Sequence, residues 1–431
     1  MNPFSSEKLI AKWSESGFQK YFKSTTWSFA ARALSMLISF GATTFIARSL
    51  GPSHYGQLSY ALSFVGLFAF LSTVGIDNIL YRDLIKKPEE TNKLLGSAFI
   101  IKVVAGSFAA ALCSVAALFM VDNDVSKILI FILTGTFIFN SFQIINHEFQ
   151  AKVQSKYPSI ITILVVLILN ILKVSVIMLN EGVIYLALIL LLEPILYMLF
   201  YIYIYTTKLG GKITSWSYDK LTIQSLLRDS LPLLFSSAFV LIYSRIDQVF
   251  IKHMINSEAV GIYDSAVRVA EVWYIVPSIL VTALFPAIIN AKITSKEMYF
   301  KRLKKLGLFL LSLAIAISLP VTILAPFIMN TLYGEAFIAG SIILQIYVWA
   351  TIAIFLGSLV LNYLIAENYR KVLFFTSLIP MLINVVLNIL WIPSFGIVGA
   401  AYATFVSYMF VPLSILFFQK TRADFFKICK S

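Results

Sequence analysis

The chain is built from apolar runs long enough to cross a bilayer, one after another with short interruptions. A spanning helix needs about 20 apolar residues. Such runs fall at about 25–47, 55–75, 96–120, 126–147, 159–179 and 183–205, then at 229–251, 259–289, 303–327, 338–364, 372–391 and 397–419. They predict an all-α integral membrane protein of twelve transmembrane helices. Of 431 residues, 59% are hydrophobic and 13% charged, where soluble domains carry about 25% charged residues. Little chain is left for a separate catalytic domain.

The net charge of +13 raises the question of nucleic acid or an anionic membrane, and the placement of the charges answers it. Of 34 Lys and Arg, 26 fall in the N-terminus, in alternate loops and in the tail, while the opposite loops hold only Arg48, Lys127 and Lys252. The positive-inside rule puts both termini and the basic loops in the cytoplasm, facing anionic inner-leaflet lipid. No nucleic-acid partner is expected. Residues 1–24, with Lys8, Lys12, Lys20 and Lys23, read as a cytoplasmic amphipathic lead-in without a cleavable signal pattern. Cys113 and Cys429 are too few for a disulfide framework or a zinc site.

The widest gap between apolar runs, residues 206–228, divides the chain into a first lobe at 25–205 and a second at 229–419, followed by a cytoplasmic tail at 420–431. Sliding the second lobe back by 205 positions sets Gly51–Ala61 over Asn256–Ala266, with Gly56 on Gly261 and Ala61 on Ala266. Both segments turn the chain between the first two helices of their lobes, as parallel repeats would. Two six-helix bundles facing a shared cleft is a transporter plan. No Pro/Gly pair interrupts matched helices, so Pro194, Pro232, Pro277, Pro320, Pro380 and Pro412 are expected to kink rather than break them.

No GxxxxGK[ST], HExxH or GxSxG motif occurs, so neither catalytic residues nor a metal site is expected. The informative residues are ionisable groups inside spans, which are expensive in lipid and seldom face it. The bases are Arg32, Lys102, Lys173, Arg245 and Arg268; the acids are Glu193, Asp247, Asp264 and Glu271. Asp264, Arg268 and Glu271 share one helix face, which should line a polar space. Arg268 could equally form only an intrahelical ion pair. Lys102 lies near enough to a helix end to snorkel. Glu193, beside Pro194, is a candidate proton carrier, since desolvation couples a carboxyl to proton exchange. Tyr197, Tyr201 and Tyr205 read as an interfacial belt, and Asn384 and Asn388 as interhelical hydrogen-bond formers.

The run Ala47–Ala61 with Ser72–Asp77 resembles the first helical hairpin of bacterial polysaccharide exporters, the O-antigen and related repeat-unit flippases. Arg245-Ile-Asp-Gln248 with Ala259–Tyr263 is similar to the opening of their second half. Asn384, Asn388, Ile392-Pro393 and Phe395–Thr404 are similar to their last two helices. The resemblance implies the multidrug/oligosaccharidyl-lipid/polysaccharide exporter superfamily: an alternating-access transporter in the bacterial inner membrane. Its cargo would be an undecaprenyl-pyrophosphate-linked oligosaccharide, passed from the cytoplasmic to the periplasmic leaflet. A polysaccharide polymerase and a chain-length regulator are possible further partners. By the same resemblance, Arg32, Arg245, Arg268 and Lys173 would meet pyrophosphate or acidic sugar. Glu193, Asp247, Asp264 and Glu271 are the candidates for H+ or Na+ coupling, and no other cofactor is expected.

Three alternatives stay open on the sequence. Multidrug exporters of the superfamily typically need an acid in the first helix, where this chain has Arg32 and no carboxylate. Lipid II exporters usually have fourteen spans. A non-transporting scaffold would use the buried charges only to join helices.

Overall fold

The computed structural model describes residues 15–430, and every regular element among them is helical. The expected lead-in at 1–24 lies outside the described residues up to residue 14. The first half of the chain contains α1 (Glu15–Gly66), α2 (Ala69–Thr73), α3 (Asp77–Lys86), α4 (Thr91–Met120), α5 (Asp124–Thr134), α6 (Thr136–Phe139), α7 (Ile144–Ala151), α8 (Lys156–Met178) and α9 (Val183–Lys208). The second contains α10 (Lys220–Met254), α11 (Ser257–Glu271), α12 (Ile275–Thr294), α13 (Lys296–Tyr333), α14 (Gly340–Tyr347), α15 (Ala350–Ala366), α16 (Arg370–Leu413) and the tail helix α17 (Gln419–Lys430).

Ten helical stretches among the described residues are long and apolar enough to span a membrane. The difference from the expected twelve has a local cause. Both α1 and α16 carry two of the expected spans and change direction within a helix, at Gly51 (φ 73°) and Gly396 (φ 60°). Glycine enters this left-handed region without a Cβ clash. Pro52 then sits where a restarting helix has no use for its N–H.

The apolar cores show how the two halves are joined. One core is shared: Ala47, Tyr60 and Phe64 from the first half pack with Val260, Met329 and Phe337 from the second. These residues lie toward the lightly charged end, where Gly51 and Asn256 turn the chain. Toward the basic end each half keeps its own core, around Ile76, Leu95 and Phe149 in one and Leu310, Phe355 and Ile415 in the other. The halves therefore close on each other at one end and separate toward the other, apart from the start of α10, which stays against the first half. Cross-half contacts agree: the Arg48 guanidinium donates to the Thr331 carbonyl at 3.1 Å, and a His253 ring nitrogen lies 2.8 Å from the Met120 carbonyl.

At the basic end the segment expected as a linker is fastened to the first half. Ser217 N–H donates to the Asn92 carbonyl at 3.3 Å, and Trp216 donates to the Tyr205 hydroxyl at 2.9 Å. Gly96 permits the approach, since a Cβ there would lie 2.1 Å from the Ser217 oxygen. Arg82 pairs with Asp229 at 2.8 Å, tying α3 to the start of α10.

Three sequence expectations are corrected. Matched helices do break: α1 ends at Gly66 and α2 starts at Ala69, while α11 ends at Glu271, 205 positions on, with a 3₁₀ turn at Val272–Tyr274 before α12. No proline is needed, because i→i+3 bonds such as Phe68 N–H to Val65 C=O carry the chain through the bend. Tyr201 and Tyr205 are buried in the core of the first half, 3% and 1% exposed, and so form no belt facing lipid. Lys102 is buried and does not snorkel; its ammonium meets Asp77, which also bonds His147 at 3.1 Å.

Candidate functional site

The close approach of α1 and α11 begins with glycine. A Cβ at Gly56 would lie 1.8 Å from the Ser257 oxygen, and one at Gly261 would lie 2.1 Å from the Pro52 oxygen. With both side chains absent the helices touch along their backbones, as small residues allow in lipid. One turn further toward the basic end, Asp264 enters the contact, only 1% exposed. It accepts from Tyr55 Oη at 2.7 Å, Ser59 Oγ at 2.9 Å, Gln248 Nε2 at 2.9 Å and Arg268 Nε at 2.7 Å. Ser63 in turn donates to Gln248 Oε1. A buried carboxylate with four donors is a satisfied charge, and here two of the donors come from the opposite half.

Beyond this knot the helices diverge, and a cavity of about 240 Å³ opens between Met36, Ser39, Phe40 and Thr43 of α1 and Arg268, Glu271 and Val272. Arg268 thus has two faces, one edge held by Asp264 and the rest of its guanidinium lining the cavity. Glu271 lies at the last turn of α11, where the helix breaks, and the Arg245 guanidinium approaches it to 3.9 Å. Arg32 is exposed on α1, one turn before Met36 and on the same helix face. Lys173 on α8 and Glu193 on α9 are half-buried and act on each other electrostatically, and Lys173 also feels Arg268.

Asp247 goes elsewhere. It is 2% exposed, and its carboxylate accepts from Tyr263, from Thr404 Oγ1 at 3.2 Å and from the Gln248 N–H at 2.9 Å. Asn384 donates to Thr404 at 3.4 Å, and Asn388 to the Asn384 carbonyl at 2.9 Å. Asn388 Oδ1 is buried without a hydrogen-bond partner among the described residues. This second polar nest joins α10, α11 and both arms of α16.

The structure therefore brings Arg268 and Glu271 together at one cavity, with Arg245 paired to Glu271 behind it and Arg32 on the continuing face of α1. It assigns Asp264 to the contact between halves and Asp247 to a separate nest. Sequence reasoning from charge missed Tyr55, Ser59, Ser63 and Gln248, which are neutral. The repeat held a signal for one of them, since Ser59 falls on Asp264 at the same 205-residue offset.

A profile of the family described as "Polysaccharide biosynthesis protein" matches residues 21–292, well over half of the chain. The chain belongs to the polysaccharide biosynthesis protein family. The matched region holds all eight of the candidate charged residues. A relative from Haloferax volcanii, named "Probable flippase AglR", is 27% identical over 169 residues; the match covers 38% of this chain and 35% of that protein. The matched stretch is thus about a third of that relative's length.

Members of this family can be compared with solved transporters by fold. This chain is similar to a multidrug resistance MATE family transporter of the MOP superfamily, in an inward-facing conformation, at TM-score 0.71 and 14% identity, over 92% of this chain and 96% of that one. It is equally similar to the lipid II flippase MurJ, inward closed, at TM-score 0.71 and 18% identity, over 93% and 89%. The Vibrio cholerae MATE transporter VcmN, in its bent form, matches at TM-score 0.59 and 14% identity, over 95% of this chain and 99% of that one. The fold is that of MOP transporters, and the protein is a multi-pass membrane protein.

Proposed function

We propose that this chain is a flippase that carries an undecaprenyl-pyrophosphate-linked oligosaccharide, an O-antigen or related surface-polysaccharide repeat unit, across the bacterial inner membrane. The basic loops face the cytoplasm, so the end at which the halves separate is the cytoplasmic one, and residues 25–205 and 229–419 act as two lobes around the cleft. The observation that carries the reading is the cavity between α1 and α11, where Arg268 lines the space and Arg245 approaches Glu271 in its wall. Guanidinium groups are suited to bidentate contact with pyrophosphate. Arg32 and Lys173 extend the cationic path, and the polyprenyl tail stays in lipid.

Transport then requires the halves to close at the basic end and open at the Gly51 end. Energy comes from an ion gradient, with the oxygens of Asp247, Thr404 and Asn388 in the second polar nest as the candidate ligands for Na+. Glu193 and Glu271 are the remaining proton-carrying candidates.

The test is translocation of a lipid-linked oligosaccharide in liposomes containing the purified protein alone. Arg32→Ala, Arg245→Ala and Arg268→Ala are each expected to reduce it at normal expression. Full activity in all three would reject the cationic site, and no translocation by the unaltered protein would favour a scaffold.

A further inference from the structure

The second half carries an apolar groove far from the central cavity. It is about 480 Å³, runs along the basic-end half of α13, and is walled by Gly307, Leu308, Leu311, Leu359, Met409 and Phe425. Its floor depends on Gly307, whose missing side chain leaves Leu359 as the nearest neighbour of a Cβ, at 3.5 Å. Leu308, 56% exposed, leaves the groove open sideways to the surrounding hydrocarbon.

The tail helix closes the groove at its basic end. There α17 is fixed through Asp424, which accepts from Tyr363 Oη at 2.8 Å and Tyr369 Oη at 3.0 Å. This presents Phe425 and Ile428 to the groove. Thr421 donates to the Ile415 carbonyl at 2.6 Å and pins the preceding turn. Asp424 is therefore committed within the protein, while the surrounding charge is positive. Lys304 lines the groove itself, Lys301 and Lys305 are exposed in the same turns of α13, and Lys420 and Arg422 are exposed on α17.

We propose that this groove holds an acyl chain of an anionic bilayer phospholipid, with the lipid phosphate met by the basic side chains at the start of α13 and on α17. An apolar slot open to the bilayer selects a hydrocarbon chain. The basic mouth, placed where the chain leaves the membrane, selects a negative headgroup. The lipid and the tail helix then stabilise each other, because Phe425 packs on whatever fills the slot. The proposal requires membrane embedding, not flippase activity, so the two can fail separately.

The experiment uses the full chain purified in mild detergent, with phospholipid quantified by native mass spectrometry after titration with phosphatidylglycerol or phosphatidylcholine. Phosphatidylglycerol is expected to bind more tightly. Gly307→Trp, which fills the slot, and Lys304→Glu, which reverses charge at its mouth without filling it, are each expected to weaken that binding roughly tenfold. Leu164→Trp provides the control, in an apolar hollow of about 490 Å³ between α8 and α9 that α17 does not cover. Equal binding of the two lipids, unchanged binding in both groove variants, or equal loss in Leu164→Trp would overturn the proposal. Recovery of a polyprenyl phosphate instead of a glycerophospholipid would overturn it too.

Discussion

Gly56 and Gly261 lie against each other at the crossing of α1 and α11, and they are the residues that the 205-position repeat superimposes. The relationship is reciprocal: Gly56 abuts Ser257, Gly261 abuts Pro52, and these two are also 205 positions apart. The crossing thus behaves as a local two-fold, in which each repeat supplies the same surface to the other.

A side chain at either glycine must push backbone away from backbone, since no flexible side-chain end is there to yield. Gly56→Val and Gly261→Val are expected to destabilise the closed contact by about 1–3 kcal/mol and to open it. Ser59→Cys, in a chain with Cys113 and Cys429 replaced by Ser, reports this, because position 59 is buried in the contact. Its thiol should label slowly alone and much faster with either valine. Gly41→Ala, where a Cβ meets nothing within 4 Å, should leave the rate unchanged. Slow labelling in both valine variants would disprove the role of the crossing.

Asp264 makes a graded prediction. Tyr55→Phe and Ser59→Ala each remove one of four donors and are expected to cost about 1 kcal/mol. Asp264→Asn keeps the shape but leaves the Arg268 edge opposite a neutral amide, and should cost roughly 3–5 kcal/mol. Thermal unfolding in detergent reads the order. A smaller loss for Asp264→Asn than for Tyr55→Phe would mean that the charge is not what holds the contact.

Much of this site was legible in the sequence because its chemistry resides in charges that lipid makes conspicuous. Arg245, Arg268 and Glu271 stand out in an apolar chain; Arg268 and Glu271 line one cavity, and Arg245 approaches Glu271. Their division of labour was not legible. Asp264 and Asp247 have the same side chain on neighbouring helices, yet one bridges the halves and the other joins Asn384, Asn388 and Thr404 over about 140–160 positions of chain. The tyrosines of α9 misled for a related reason. Their i, i+4 spacing gives a face but not the identity of what packs on it, and that neighbour is the folded-back segment around Trp216. The helix breaks at Gly66 and Glu271 were hidden because 3₁₀ turns need no proline.

Asp77 supplies a prediction in pH. Burial alone would raise its carboxyl, but the hydrogen bond with His147 and the charge of Lys102 outweigh it and hold the group well below the usual carboxylate range. A depressed folded-state value stabilises the fold above the unfolded carboxylate value of about 4, and this stability is lost as pH falls through the folded value. Asp77→Asn leaves the buried Lys102 without its counter-charge and should lower the melting temperature clearly at pH 7. The gap from the unaltered protein should narrow as pH falls below about 4. A gap that is constant down to pH 3 would show that the charge on Asp77 contributes nothing to stability.

The nest around Asp247 makes the ionic prediction. Asn388 Oδ1 is buried without a partner among the described residues, and Asn388 is linked through Asn384 and Thr404 to the Asp247 carboxylate, which already accepts from Tyr263, Thr404 and the Gln248 N–H. A bound Na+ would use the spare oxygen, the Asp247 charge and the Thr404 hydroxyl together, and binding only the folded state would stabilise it. Melting temperature is therefore expected to be higher in NaCl than in KCl at equal ionic strength, by an amount that grows with concentration and saturates. At about 100 times the dissociation constant the gain is about 2.7 kcal/mol. Asp247→Asn and Asn388→Leu should each abolish the difference between the salts, and the liposome assay with the same variants should lose its response to a Na+ gradient. A Na+ effect that survives both substitutions would place the ion elsewhere. Equal melting in the two salts, with transport that responds to a pH gradient, would shift the coupling role to Glu193 or Glu271, and Glu193→Gln and Glu271→Gln would then separate those two.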